Sequence, residues 1–175
     1  MRSTVFGIAV NAGDADAYAA VKHYYGTTTS TDGKEIALAA LGRAQTPALV
    51  DDLLAFTFSG AVAVQDRHTS ALALAANARG RGPLWAYVKA HWEATVFPAL
   101  GGNLVVLERF LRVALSKFAA RDVQRDIAAF FAAKDTRGFD RGLAVVADTI
   151  AAAAAYRERD AALVEEWLGA NGYLE

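Results

Sequence analysis

The stretch from Val64 to Trp92 reads V-Q-D-R-H-T-S-A-L-A-L-A-A-N-A-R-G-R-G-P-L-W-A-Y-V-K-A-H-W. Its apolar residues recur at intervals of three and four, which is the spacing of one face of an α-helix. We expect Asp66 to cap a first helix that ends at Asn77. The segment from Gly80 to Pro83 then predicts a break before a second helix, which carries both tryptophans.

The rest of the chain has the same periodicity, and no run of residues alternates over the length of a strand. We expect Gly13-Asp14 to begin a helix, Gly42 to end one, and Thr46-Pro47 to begin another. Helices are also predicted over 104–118, 121–133 and 139–168, the last being one helix or two, closed by Asn171-Gly172. The sequence therefore predicts one all-α domain over residues 1–175, a superhelical, HEAT-like or armadillo-like array of roughly nine or ten helices in antiparallel pairs.

Composition excludes several classes of partner. The 18 lysines and arginines and the 19 aspartates and glutamates are interspersed, for a formal charge of -1. Without a basic patch, neither nucleic acid nor a membrane surface is an expected partner, and no stretch approaches the roughly 18 uncharged apolar residues of a membrane span. The chain has no cysteine, which excludes disulfides and thiolate zinc sites. This composition fits a reducing compartment, and we expect a cytoplasmic location.

Candidate catalytic residues are few. A zinc peptidase needs the motif H-E-x-x-H on a helix, with two histidines four residues apart. The three histidines, His23, His68 and His91, do not have that spacing, so we expect no metal or cofactor in this chain. Asp66, His68 and Ser70 have the residue types of a catalytic triad, but within one helical turn their side chains point in different directions. We therefore assign no catalytic residue and expect the chain alone to be inactive.

Several longer motifs occur together along the chain. They are Q-D at 65–66, N-x-x-G-R at 77–81, W-x(6)-W at 85–92, K-D-T-R-G-F-D-R-G-L at 134–143 and Y-R-E-R-D-A-A-L-V-E-E-W-L at 156–168. From Val5 to Leu174 the chain resembles the C-terminal domain of zinc aminopeptidases of the aminopeptidase N and puromycin-sensitive type. The last two motifs look especially like fungal members. Ala78, where the family often has proline, and Pro83 depart from the family pattern.

This resemblance implies a bowl of HEAT-like or armadillo-like helical repeats that covers a thermolysin-like catalytic domain of the same polypeptide. In that family the bowl encloses the peptide cavity, limits substrate length and, in some members, contacts the far end of the peptide. Zinc would then be bound by the catalytic domain of a metallo-aminopeptidase. The chain itself would be a lid and gauge for peptide substrates.

Most residues of the family signature are expected to be structural. Trp85 and Trp92 lie seven residues apart, so we expect them to share a helix face and fill a groove between helices, with a ligand platform as the alternative. We expect Gln65 and Asp66 to cap a helix, and Asn77 and Gly80 to end one. We expect Arg159 and Asp160 to mark a bend in the last helix. Trp167 is expected to supply apolar surface for packing.

Arg43 is the strongest candidate for contact with a ligand. It follows a glycine stop between two helices, where a guanidinium that lines a cavity can bind a peptide carboxylate through two hydrogen bonds. The alternative is an arginine that ties two loops together. Weaker candidates for contact with a peptide are Arg81, Tyr87, Lys89, His91 and Arg112.

Two functions of other classes remain open on the sequence. A free-standing helical-repeat scaffold would bind a protein or peptide in its concave face, as repeat superhelices commonly do. An independent enzyme with an unfamiliar site is the second alternative. It is also open whether an exposed apolar face makes the isolated chain dimerise.

Overall fold

The computed structural model describes residues 1–174, which form α-helices and contain no β-strand. The ten α-helices are α1 (Arg2–Asn11), α2 (Ala15–Thr27), α3 (Thr31–Leu41), α4 (Pro47–Thr57), α5 (Arg67–Ala76), α6 (Ala78–Ala90), α7 (Phe97–Leu100), α8 (Leu104–Leu115), α9 (Arg121–Ala132) and α10 (Asp140–Ala170). A 3₁₀ turn at Val64–Asp66 precedes α5, and a π-helical turn at Trp92–Val96 precedes α7. The predicted all-α class is confirmed.

The helices lie in two layers that can be followed through their contacts. In the first layer α1, α3, α5, α8 and α10 lie side by side, each packed on the next. In the second layer α2 packs on α3, α4 and α6 pack on α5, and α9 packs on α10. One hydrophobic core runs between them from Val10 in α1 to Ile150 in α10. We call the first the groove layer and the second the back layer.

Short polar residues begin several helices, as the sequence predicts. The carboxylate of Asp14 accepts the backbone N–H of Asp16 at the start of α2, and Thr46 accepts that of Leu49 at the start of α4. Pro47 takes the first position of α4. A backbone N–H at this position would have no acceptor within the helix, so proline costs no hydrogen bond here. Local sequence therefore determines these two helix starts.

The start of α5 differs from the prediction. Asp66 directly precedes the helix, but its side chain caps no backbone N–H. A 3₁₀ turn leads into α5, so Asp66 has φ -94° and ψ -13°, close to helical values instead of the extended backbone of a capping residue. The neighbouring Gln65 is exposed, and its carbonyl oxygen accepts from the His68 ring at 2.6 Å.

The predicted break between Gly80 and Pro83 is wrong. Asn77 ends α5 and also caps α6, which begins at Ala78 and runs through the glycines and the proline. Pro83 lies in the second turn, where it removes a single intrahelical hydrogen bond. Gly80 is a point of close packing instead of a stop, because a Cβ atom there would lie 2.8 Å from Leu74 Cδ2.

Trp85 and Trp92 are both buried, so the prediction that they fill the core is confirmed. They do not share one helix face, since α6 ends at Ala90 and Trp92 begins the π-helical turn. Their rings nevertheless meet the same pair of side chains. Trp85 lies 5.3 Å from Phe130 and Trp92 lies 5.3 Å from Phe131, measured between ring centroids. This aromatic cluster ties α6 to α9.

The last helix is a single helix of 31 residues, which decides between the two predicted alternatives. Arg159 and Asp160 lie inside it and form an ion pair with each other, so they mark no junction of two helices. The predicted stop at Asn171-Gly172 is confirmed: Gly172 has φ +73°, and the N–H of Tyr173 donates to the carbonyl of Leu168 at 2.9 Å.

No single helix within residues 1–174 is long and apolar enough to cross a membrane. The segments Trp92–Leu100 and Leu104–Leu115 meet that criterion only when taken together, and they are bent by 119° relative to each other.

Candidate functional site

A cavity of about 800 Å³ opens on the groove layer, where α1, α3, α5 and α8 meet. Its polar lining includes Glu35, Arg43, His68 and Arg109, and its apolar lining includes Leu72. The elements that form it are consecutive members of one layer, so their packing fixes its shape.

A second cavity, of about 590 Å³, follows along the same layer between α5, α8 and α10. Leu72, Arg109 and Val113 line both cavities. The two cavities are therefore parts of one continuous depression, which we call the groove. It crosses the groove layer from α1 to α10.

The charged side chains of the groove are mainly basic. Four cations line it, Arg43, Arg109, Arg112 and Lys117, against two carboxylates, Glu35 and Glu108. Among residues 1–174, none of these four cations forms an ion pair. A chain with a formal charge of -1 thus gathers unpaired positive charge on one surface, which favours an anionic ligand there.

The turn that carries Arg43 is held firmly. Gly42 ends α3 so close to α5 that a Cβ atom would lie 2.3 Å from the Cβ of Ala73. The amide of Asn77 donates to the carbonyl oxygens on both sides of Arg43, those of Gly42 and Ala44. The backbone of Arg43 is therefore fixed, while its side chain is exposed to the cavity.

The guanidinium of Arg43 passes over α1. A Cβ atom at Gly7 would lie 2.9 Å from Arg43 Nη1, so a larger residue at this position would displace the guanidinium. Arg43 is thus a cavity-lining arginine that lies against a neighbouring helix, and within residues 1–174 its side chain forms no hydrogen bond that would tie two loops together.

The other candidates for contact with a peptide divide into two groups. Arg112 lies on α8 and lines the second cavity of the groove. The remaining four lie on or at the end of α6, in the back layer, and do not line the groove; they are Arg81, Tyr87, Lys89 and His91.

The contacts of these four α6 residues are internal. Arg81 Nε donates to the carbonyl oxygen of Ala75 at 2.7 Å, which ties α6 to α5. Tyr87 stacks on Phe58, with 5.5 Å between ring centroids, and burial raises the pKa of its phenol. The ring of His91 lies 4.3 Å from that of Tyr87.

Lys89 belongs to a polar link between α6 and α9. Its ammonium and the indole Nε1 of Trp85 both donate to Asp126 Oδ2, each at 2.6 Å. The hydrogen bonds from Lys89 and then from Trp85 lower the pKa of Asp126. A similar link joins α2 to α4, where Tyr18 and Lys22 donate to Asp52.

The groove also contains residues that sequence reasoning missed. Arg109 lines both cavities and Lys117 lines the second. Their signal in the sequence is the polar face of α8, where Arg109 and Arg112 are three residues apart, opposite the buried Leu107 and Leu111. That signal identifies an exposed basic face, but only the packing of α5 and α10 makes it part of a groove.

The described residues bring together neither a cluster of metal ligands nor a hydrogen-bonded pair of Ser70 and His68. Within residues 1–174 no three histidine, aspartate or glutamate side chains come together as metal ligands, so these residues do not fit a zinc site. The hydroxyl of Ser70 is buried and has no hydrogen-bond partner among them, so it is not paired with His68 as a nucleophile with its base.

Comparison with known proteins gives a consistent result. Residues 1–152 match the ERAP1-like C-terminal domain. "Aminopeptidase 2, mitochondrial" of Saccharomyces cerevisiae is 34% identical over 99% of this chain, and the match covers 18% of that protein. "Alanine/arginine aminopeptidase" of the same yeast is 30% identical over 98% of this chain, and "Aminopeptidase 2" of Candida albicans is 28% identical over 100% of it.

The chain spans about a fifth of the length of these curated relatives, with matches covering 18% to 20% of each. The family match covers most of the described helices, from α1 into α10. The chain therefore belongs to the family of ERAP1-like C-terminal domains, as the resemblance of its sequence motifs predicts.

Proposed function

We propose that this chain is the non-catalytic C-terminal domain of a zinc metallo-aminopeptidase, in which it caps the active site and limits or gauges the peptide. The family and the names of the relatives support the aminopeptidase part of this proposal. The single observation that supports peptide contact is the groove, where four cations that form no ion pair among residues 1–174 lie beside apolar side chains.

The chemistry of the groove fits the end of a peptide. A terminal carboxylate can accept two hydrogen bonds from one guanidinium, and Arg43 and Arg109 line the same cavity. Leu72 and Val113 offer apolar surface to neighbouring peptide side chains. A peptide held at this end by its carboxylate would present its amino end at a distance set by its length, and this is how the groove would gauge a substrate.

The reaction itself would take place in the rest of the polypeptide. Zinc in a catalytic domain would activate the attacking water, and the residues of this chain would bind and orient the far end of the peptide. Partners of the chain are then that catalytic domain and the peptide substrates. We also propose a cytoplasmic location, which cell fractionation tests.

The inactivity that we expect of the isolated chain can be tested by a direct assay. We expect no hydrolysis of aminoacyl chromogenic substrates above background, with or without added zinc. Turnover that follows the purified chain through chromatography would contradict the proposal and favour an independent enzyme.

The location of the peptide is tested by charge reversal. Arg109→Glu and Arg112→Glu are expected to weaken binding of a labelled acidic peptide by tenfold or more, on the order of the 1.5–3 kcal/mol of a hydrogen bond to a charged group. The matched control is Arg125→Glu, because Arg125 is exposed on α9 in the back layer. Equal losses in all three variants would mean that only net charge matters, and would remove the groove from the proposal.

A free-standing peptide-binding scaffold is the second candidate function. It is supported by the position of the groove on one face of the helical array, since repeat superhelices commonly bind peptides on one face. The two candidates differ in their genes: an upstream reading frame, continuous with this sequence and containing H-E-x-x-H, decides for the aminopeptidase.

A further inference from the structure

The second half of α10 carries an apolar stripe without a partner in the described chain. Ala154 is the last buried residue of this helix, which continues to Ala170. Tyr156, Leu163 and Trp167 are between 58% and 65% exposed. Leu163 follows Ala154 by nine residues, about two and a half helical turns, so the stripe faces away from the core.

The stripe has the spacing of a coiled-coil seam. Tyr156, Asp160, Leu163 and Trp167 are separated by four, three and four residues, which keeps them on one narrow face of the helix. The stacked ring of Tyr173, 5.8 Å from that of Trp167, extends the apolar surface at its end. The seam, Tyr156 to Ala170, is roughly 22 Å long, or two heptads.

We propose that this stripe pairs with the same stripe of a second copy of the chain, in an antiparallel arrangement about a two-fold axis. This inference goes beyond the proposed function and does not depend on the groove. A second copy fits the stripe because the stripe is complementary to itself when it is turned end over end.

The self-complementarity can be followed residue by residue. With the axis between Ala161 and Ala162, Tyr156 of each copy faces Trp167 of the other, and Asp160 faces Leu163. A parallel pair would instead bring the two Asp160 carboxylates directly against each other, which like charges disfavour. The antiparallel arrangement separates them, and each keeps its own ion pair with Arg159.

Charged residues beside the stripe are also complementary between the two copies when the helices pair in this antiparallel register. Arg159 and Glu166 lie on the same side of the stripe, seven residues apart, and both are exposed. In the antiparallel pair the Arg159 of each copy lies beside the Glu166 of the other, which gives two equivalent ion pairs. Exposed pairs of this kind contribute little affinity, but they favour this orientation over others.

The dimer is expected to be weak, with a dissociation constant on the order of 10–100 µM, because two heptads bury little surface. Sedimentation velocity of the full chain over about a hundredfold range of concentration should show a monomer that converts to a dimer. A single monomeric species at the highest concentration would overturn the proposal, and would leave the stripe to be covered by another part of a longer polypeptide.

Two matched pairs of variants locate the interface. Leu163→Glu should abolish the dimer, whereas Ala162→Glu, one residue away and off the stripe, should leave it intact. Glu166→Arg should weaken the dimer several-fold, whereas Glu165→Arg, the same charge change on the other side of the helix, should not. Asp160→Leu should tighten it. Equal effects within either pair would overturn the proposed surface.

The absence of native cysteine allows the orientation to be tested by cross-linking. Asp160→Cys and Leu163→Cys proteins, mixed under mild oxidation, should form the mixed disulfide faster than either protein forms a disulfide with itself. Faster self-linking of Asp160→Cys would indicate a parallel pair and contradict the antiparallel arrangement.

Discussion

The side-chain amide of Asn77 donates a hydrogen bond to the carbonyl oxygen of Ala44, 33 positions earlier in the chain, at 2.7 Å. The same amide donates to Gly42 at 3.1 Å, and the side-chain oxygen accepts the backbone N–H of Arg79 at 2.9 Å. One residue therefore starts α6 and holds the turn that presents Arg43 to the groove. This gives Asn77 a positioning role that its sequence context does not reveal.

Replacing Asn77 tests this double role. Asn77→Ala should lower the free energy of unfolding by about 2–3 kcal/mol, since it removes the cap and leaves two carbonyl groups without a donor. Asn77→Asp keeps the cap and should cost less. Asn103→Ala is the control: Asn103 caps α8 without such a tether, so the expected loss is about 1 kcal/mol. Urea unfolding followed by circular dichroism measures all three, and equal losses for Asn77→Ala and Asn103→Ala would contradict the tether.

Two glycines should respond in opposite directions to alanine. Gly42→Ala places a methyl group 2.3 Å from the Cβ of Ala73, and the resulting overpacking should destabilise the chain by about 2 kcal/mol or more. A Cβ atom at Gly26, inside α2, would meet no atom of another element within 4 Å, so Gly26→Ala should stabilise the helix by about 0.5–1 kcal/mol. Thermal melting compares the two variants. A neutral Gly42→Ala would show that α3 and α5 are not closely packed at this point.

Acid should weaken the link between α6 and α9. Hydrogen bonds from Lys89 and Trp85 lower the pKa of Asp126 in the folded chain, so the unfolded chain binds the proton more readily. The stabilisation by this carboxylate is therefore present above about pH 4 and is lost as the pH falls through its lowered pKa. The effect is small, because the Asp126 side chain is 47% exposed and screened by solvent.

The variant that isolates this contribution is Asp126→Asn, which retains an acceptor for the Trp85 indole. Unfolding free energies of the wild-type and variant chains, measured from pH 7 to pH 2, should converge as the pH falls below about 4. Lys89→Met should reduce the same pH dependence. Parallel curves for wild-type chain and Asp126→Asn would contradict the assignment.

Features determined by neighbouring residues could be predicted from the sequence. Thr46-Pro47 and Asn171-Gly172 mark helix ends through backbone chemistry within a few residues, and both predictions are confirmed. Asp66 has the same residue type as a cap but a different backbone, since the 3₁₀ turn before α5 changes its dihedral angles. The local pattern of apolar and capping residues does not indicate that turn.

The groove could be predicted only in part, because it depends on contacts between distant segments. The place of Arg43 after a helix stop indicates a cavity-lining arginine, and Arg43 does line the cavity. The pattern of α8 indicates that Arg109 is exposed, but its place in the groove depends on α8 lying between α5 and α10. Lys89 and His91 have suitable chemistry for a ligand, but α6 belongs to the back layer and carries them away from the groove.

Binding of a peptide to the groove through its terminal carboxylate can be measured by calorimetric titration. A medium-length peptide and its C-terminal amide are titrated into the wild-type chain and into Arg43→Ala. The amide should bind the wild-type chain about tenfold more weakly than the free acid, and Arg43→Ala should bind both with the same reduced affinity. Equal affinity of the wild-type chain for the acid and the amide would contradict binding through the carboxylate.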